Sequence, residues 1–123
     1  VEDVAARHGI ENAVQATLAT TDGESIWVFR YSTAQQTRSL FYSTEIEKVR
    51  ALHPEVEVLR RYGDDTRFVV SEPLRDLEGL WNEVPESHAG IIHAGTDDFR
   101  PFHPIPPVRQ TAGATRSEEA SAR

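Results

Sequence analysis

Thr20-Thr21-Asp22-Gly23-Glu24-Ser25-Ile26-Trp27-Val28-Phe29-Arg30-Tyr31 decides the architecture. Asp22-Gly23 is a hairpin dipeptide, because aspartate and glycine tolerate the positive φ that tight antiparallel turns require. Ala16 to Thr21 reads as the outgoing strand and Ser25 to Tyr31 as the return strand. Alternate side chains of a strand face opposite sides. Ile26, Val28 and Arg30 therefore share one face, and Trp27, Phe29 and Tyr31 the other. Nearly every position of the return strand is apolar, which predicts a central strand covered on both faces. Arg30 is the exception, and a cation in such a place needs a partner or a path to water.

Upstream, Val4, Ala5, His8, Ile10, Ala13 and Val14 fall at roughly helical spacing, predicting a helix over Val1 to Ala16 interrupted at Gly9. Downstream, Ser32 to Arg38 is a polar loop and Ser39-Leu40-Phe41-Tyr42-Ser43 a third strand. Thr44 to Leu52 reads as a helix, with Thr44 as N-cap, Glu47 as its capping-box partner and His53-Pro54 as its end. Val56, Val58 and Leu59 suggest a short strand or extended edge, and Tyr62 to Thr66 a turn.

Arg67-Phe68-Val69-Val70-Ser71-Glu72-Pro73-Leu74 follows. Phe68, Val69 and Val70 form a short strand whose consecutive apolar residues predict burial on both faces. Pro73 restricts Glu72 to extended geometry and ends the strand near Ser71 and Glu72. A hydroxyl and a carboxylate at a strand end either present chemistry or merely cap and solvate the turn. Arg75 to Glu83 is a polar connection anchored by Leu77, Leu80 and Trp81, and Val84-Pro85-Glu86 a turn. Ala89 to Ala94 is a strand, Gly95-Thr96-Asp97-Asp98 a hairpin turn, and Phe99 to Phe102 the return. Pro104 to Arg123 is stiff at first and then free of large apolar residues, predicting a disordered tail. The fold class expected is α+β, mainly antiparallel, with residues 1–103 as one domain.

With 123 residues the chain builds one modest core. The net charge of −7 and the scattered basic residues argue against nucleic acid or anionic membrane as partners. The chain has no cysteine, which excludes disulfides, thiolate metal sites and a thiol nucleophile supplied from within it. No apolar run reaches the roughly 18 residues that span a bilayer, and a cytoplasmic location is expected. The first residue is Val1, and the initial helix reads as though cut from a longer chain.

Self-contained chemistry is sparse. Ser71 has no flanking glycines to make a nucleophile elbow. His88, His93 and His103 lie near Asp97 and Asp98, but no HxH or HxxxH pair exists. His88 and His93 fall on opposite faces of one strand, against a metal site. Asp64-Asp65 and Asp97-Asp98 stand in turns, where aspartate serves local hydrogen bonding.

The order of elements carries more. The Thr20–Tyr31 hairpin, Ser39-Leu40-Phe41-Tyr42-Ser43, Phe68-Val69-Val70-Ser71-Glu72-Pro73-Leu74 and Trp81-Asn82-Glu83-Val84-Pro85 occur in that order before a closing hairpin. Over residues 13–103 this resembles the second half of the glutaminase domain of class II glutamine amidotransferases. The similarity is greatest to the small stand-alone type that includes ergothioneine-pathway amidohydrolases. The resemblance implies part of a four-layer α/β/β/α N-terminal-nucleophile hydrolase sandwich and hydrolysis of glutamine or another γ-glutamyl amide, with no cofactor. In that family a cysteine thiolate attacks, its α-amine acts as base, and an Asn-Gly pair holds the oxyanion. Here no cysteine exists, and neither Asn12 nor Asn82 precedes a glycine. The resemblance therefore places no catalytic residue on this chain.

Arg30, Tyr31, Ser71 and Glu72 match motif positions and are expected to brace the sheet behind the site, with Arg30 paired to Glu72. The first expectation is a C-terminal fragment of a glutaminase, inactive without a complementing N-terminal half. The alternative is a non-catalytic binding or scaffold module that pairs, or self-associates, through its open sheet. A third is a metal-dependent hydrolase built on His88, His93 and Asp97.

Overall fold

The computed structural model describes residues 1–73, 75 and 77–104. It is a mainly antiparallel α+β fold. Its strands are β1 (Gln15–Thr21), β2 (Ile26–Ser32), β3 (Phe41–Ser43), β4 (Val69–Val70), β5 (Trp81–Glu83), β6 (His88–His93) and β7 (Thr96–Pro101). Two short helices, α1 (Glu2–Arg7) and α2 (Ile46–Leu52), and a 3-10 turn at Glu57–Arg61 complete it. The larger sheet runs β1-β2-β6-β7 and the smaller β4-β3-β5, with every neighbouring pair antiparallel.

The two sheets face each other across Val28 and Ile92 from one side and Leu40 and Val84 from the other. Ile26, Tyr42, Val69 and Phe99 close around them. The outer face of the small sheet is covered by α2 and the 3-10 turn, through Ile46, Val49, Leu59 and Leu80, with Phe68 and Trp81 beneath. Ile46, Val49 and Val84 are fully buried, each worth about 1.5–3 kcal/mol of apolar transfer. The layers are thus sheet, sheet and helix.

Gly90 makes the face-to-face packing possible. It pairs with Val28 on one side and Phe99 on the other. A Cβ there would lie 2.3 Å from the Phe99 ring. The ring folds over the bare backbone and meets Tyr42 of the small sheet at 4.9 Å.

The hairpin at Asp22 is present, with Thr21 paired to Ile26. The Asp22 carboxylate accepts the Glu24 and Ser25 N–H groups at 3.0 and 2.8 Å, and Gly23 takes φ +98°. β2 is central, but only one of its faces is sealed. Val28, Arg30 and Ser32 are buried, while Trp27 on the opposite face is 39% exposed. The expected cover on both faces fails because, among the described residues, α1 and the Phe102 ring pack on that side only toward the Phe29–Tyr31 end, leaving Trp27 uncovered.

Other expectations shift in extent. The helix over Val1 to Ala16 is confined to Glu2–Arg7, because Gly9 and Asn12 take positive φ and turn the chain toward β1. α2 starts at Ile46 with Glu45, not Thr44, at its N-cap and no side-chain cap bond; the Thr44 hydroxyl accepts from Asn82 instead. Val56, Val58 and Leu59 fall in and beside the 3-10 turn rather than a strand, since burying Leu59 against α2 outweighs alternation. Arg67 to Leu74 shortens to the half-buried Val69–Val70 at the edge of the small sheet, so it is not covered on both faces. The polar connection after it contains β5. The closing turn is Ala94-Gly95, with His93 paired to Thr96, so Asp97 and Asp98 lie within β7. The expectation of a disordered tail concerns residues outside those described, apart from Pro104.

Candidate functional site

Two arginines tie the sheets together. Arg30 projects from β2 into the interior and is 8% exposed. Its Nε donates to Thr37 Oγ1 at 2.7 Å, and one terminal nitrogen donates to Glu83 Oε1 at 2.7 Å and to the Val84 carbonyl at 2.5 Å. The strand delivers the cation inward by alternation, and β5 of the opposite sheet meets it with a carboxylate. Glu86 extends the cluster by accepting the Thr37 N–H at 2.9 Å.

Arg67 is the second brace. It lies just before β4 with its side chain 5% exposed. Its guanidinium donates to the carbonyls of Ser43 and His93 at 2.9 and 2.8 Å, and pairs with Asp97 at 2.8 Å. Ser43, also buried, accepts the Phe68 N–H through its hydroxyl at 2.8 Å. Charge-assisted bonds to two carbonyls and a carboxylate leave the buried cation well satisfied. Beside it, Tyr42 is held above its usual pKa by burial first and by the Asp97 charge second.

Ser71 and Glu72 lie elsewhere. Both are exposed, and the Ser71 carbonyl accepts from Ser39 Oγ at 2.8 Å. The expected Arg30–Glu72 pair does not form: Glu83, on the strand facing Arg30, takes that place. Tyr31 points to the other face of β2, where its hydroxyl donates to Glu2 Oε1 at 2.5 Å and fixes α1 to the sheet. Hydrogen bonds from Tyr31, then Thr33, hold the Glu2 carboxyl below its ordinary pKa. Burial, then the bond to Glu2, raises that of Tyr31.

The histidines are engaged separately. His88 Nδ1 is 2.8 Å from the Glu86 carbonyl, and His93 Nδ1 is 2.9 Å from Ser25 Oγ. Asp97 faces Arg67. Among the described residues no three His, Asp or Glu side chains gather as metal ligands. Ser25 and His93 form a hydroxyl–imidazole pair, but Ser25 is 8% exposed. The N–H groups of Gly23, Glu24 and Ser25 are already bound to Thr21 and Asp22, leaving no oxyanion donor in that turn. These bonds from Ser25 and then Glu24 hold Asp22 below its ordinary pKa. The arrangement braces and orients; it does not assemble a nucleophile, base and oxyanion site.

Sequence reading found Arg30 as a cation needing a partner but missed Glu83, Arg67, Asp97 and Thr37. For Arg67 the signal was a charged residue opening an apolar run. For Asp97 it was lost by assigning the residue to a turn.

No family model matches the chain. No curated protein matches it either. Among solved structures it is similar to a glutamine aminotransferase class-II domain protein from Silicibacter pomeroyi, with 27% sequence identity and a TM-score of 0.60. That similarity covers 85% of this chain and 40% of the other chain. No helix among the described residues is long and apolar enough to cross a membrane. The motif order of the sequence and the antiparallel sandwich it builds are consistent with a class II glutamine amidotransferase-like domain, of whose solved example the chain spans less than half the length.

Proposed function

We propose that the chain is the supporting β sandwich of a class II glutaminase domain, an N-terminal-nucleophile hydrolase acting on glutamine or a related γ-glutamyl amide. The observation that carries this reading is the similarity to the Silicibacter pomeroyi domain over 85% of the chain at 27% identity. The chemistry that the resemblance implies for such a domain is attack of a thiolate on the γ-carbonyl, loss of the amine, and hydrolysis of the γ-glutamyl thioester. This chain has no thiol to offer. Its contribution is rigidity: Arg30 and Arg67 lock the two sheets in one relative position, which a site needing placement within about 0.5 Å requires. The roles of Arg30, Tyr31, Ser71 and Glu72 on this reading are supportive rather than catalytic. A complementing segment of the domain supplies the nucleophile and the oxyanion donors.

The test is an assay of the purified chain with glutamine and a γ-glutamyl anilide, following glutamate and aniline release. The expected rate equals the blank, and turnover above it would overturn inactivity. The family reading is tested separately by co-expressing the chain with a cysteine-bearing N-terminal segment of a class II glutaminase. Restored glutamine hydrolysis is expected, and its absence in a soluble, co-purifying complex counts against the reading.

A further inference from the structure

We propose that β1 is a dimerisation edge, pairing antiparallel with β1 of a second copy so that two four-stranded sheets become one continuous sheet. The inference does not rest on the glutaminase reading.

The two edges of the large sheet are built differently. β7 is Thr96-Asp97-Asp98-Phe99-Arg100-Pro101, with three charges and a proline, the devices that keep an edge from pairing. β1 is Gln15-Ala16-Thr17-Leu18-Ala19-Thr20-Thr21, with no charge and no proline. Among the described residues its main chain bonds to no strand but β2.

Bonds at the two ends of the ladder, Thr33 N–H to the Val14 carbonyl at 2.9 Å and Asp22 N–H to the Ser25 carbonyl at 3.4 Å, set the alternation. In that phase Ala16, Leu18 and Thr20 direct their main-chain groups at β2. Gln15, Thr17, Ala19 and Thr21 direct theirs outward. Gln15 and Thr17 use only their side chains on the neighbouring loop, at the Gln36 and Arg38 carbonyls.

The occupant follows from the strand's own composition. An antiparallel strand without charges meets itself across a twofold axis with no like charges opposed. All seven residues overlap only when Leu18 faces Leu18 of the second copy. That register sets Thr17 against Ala19 of the second copy and Gln15 against its Thr21, joining the outward groups to each other. Leu18 then occupies a non-hydrogen-bonded position, where side chains approach closest. It is 58% exposed, beside Trp27 at 39%, in an apolar trough that also includes Phe29. Pairing merges two such troughs across the axis. The guarded β7 edges end the assembly at two copies. Net charge of −7 per copy opposes association at a distance, so added salt strengthens it.

The test uses the absence of native cysteine. Leu18→Cys, treated with oxidised glutathione, forms an intermolecular disulfide: two thiolates displace glutathione in turn, and two reduced glutathione molecules leave. Thr20→Cys, displaced from the axis, does not. Sedimentation gives a dimer for the unaltered chain that tightens between 50 and 500 mM NaCl. Leu18→Lys, which opposes two cations at an exposed position, gives a monomer with unchanged circular dichroism. A monomer for the unaltered chain at several hundred micromolar, equal crosslinking of the two cysteine variants, or a dimer indifferent to Leu18→Lys overturns the proposal.

Discussion

The Arg30 guanidinium lies 2.7 Å from the Glu83 carboxylate and joins the middle of one sheet to the edge of the other. The two ends of this pair differ in setting: the Arg30 side chain is 9% exposed and that of Glu83 53%. Removing Arg30 therefore strips buried partners, whereas removing Glu83 frees a cation that still holds Val84 and Thr37. Arg30→Ala is expected to lower unfolding free energy by roughly 2–3 kcal/mol, Glu83→Ala by about 1, and Glu72→Ala by less than about 0.5. Urea denaturation ranks them, and a large effect at Glu72 would contradict the observed pairing.

Arg67 bonds three acceptors from three segments, so its loss is felt by both sheets. Arg67→Ala is expected to cost roughly 2–4 kcal/mol and Asp97→Asn about 1, because the two carbonyl bonds survive the second change. Their double mutant should cost little more than Arg67→Ala alone. Additive losses in a double-mutant cycle would mean that the pair is uncoupled.

Acid should weaken the chain through Glu2, Asp22 and Glu45, each held below its ordinary pKa in the fold. Glu2 is lowered by Tyr31, Asp22 by the Ser25 N–H, and Glu45 by Lys48. A depressed folded-state pKa gives stability that is complete above the unfolded value, near 4, and lost as pH falls through the folded value. Melting temperature is expected to be flat from pH 7 to about 5 on account of these groups and to fall below that. Asp22→Asn and Glu2→Gln should each flatten the acid limb, which thermal melts across pH 2–7 will measure.

Gly90 has no room for a side chain. Gly90→Val forces the Phe99 ring off Tyr42 and is expected to cost roughly 3 kcal/mol or to abolish folding. Pairing it with Phe99→Ala should recover part of the loss. If Gly90→Val alone melts within a degree or two of the parent, the ring does not occupy that space.

Local patterns carried the reading of the sequence furthest where turn chemistry and alternation agree. Asp22-Gly23 and the apolar run after it located β1 and β2, and parity grouped Arg30 with Ile26 and Val28, although only the structure shows that this face is the interior one. Partners were less legible. Glu83 lies 53 positions from Arg30, on a strand whose polar sequence resembles a connection. Glu72 fitted the same chemical need with a better-looking strand beside it. Only the pairing of β3 with both β4 and β5 determines which carboxylate faces the cation. The single-sided burial of β2 was hidden for a related reason. Trp27 and Phe29 are as apolar as core residues, and the sequence does not record what lies above them.

The strand order also bears on how the chain reaches this structure. β1–β2 and β6–β7 are local hairpins, but the seam between them joins Arg30 to His88, 58 positions away, and Ile26 to Ile92, 66 away. Closing that seam must wait until the whole excursion through the small sheet and α2 is drawn together. Loop closure over such spans is entropically slow compared with hairpin formation. Folding is then gated by one long-range zipper. Until it closes, β2 has an open edge during folding, directly next to the apolar face of Trp27 and Phe29.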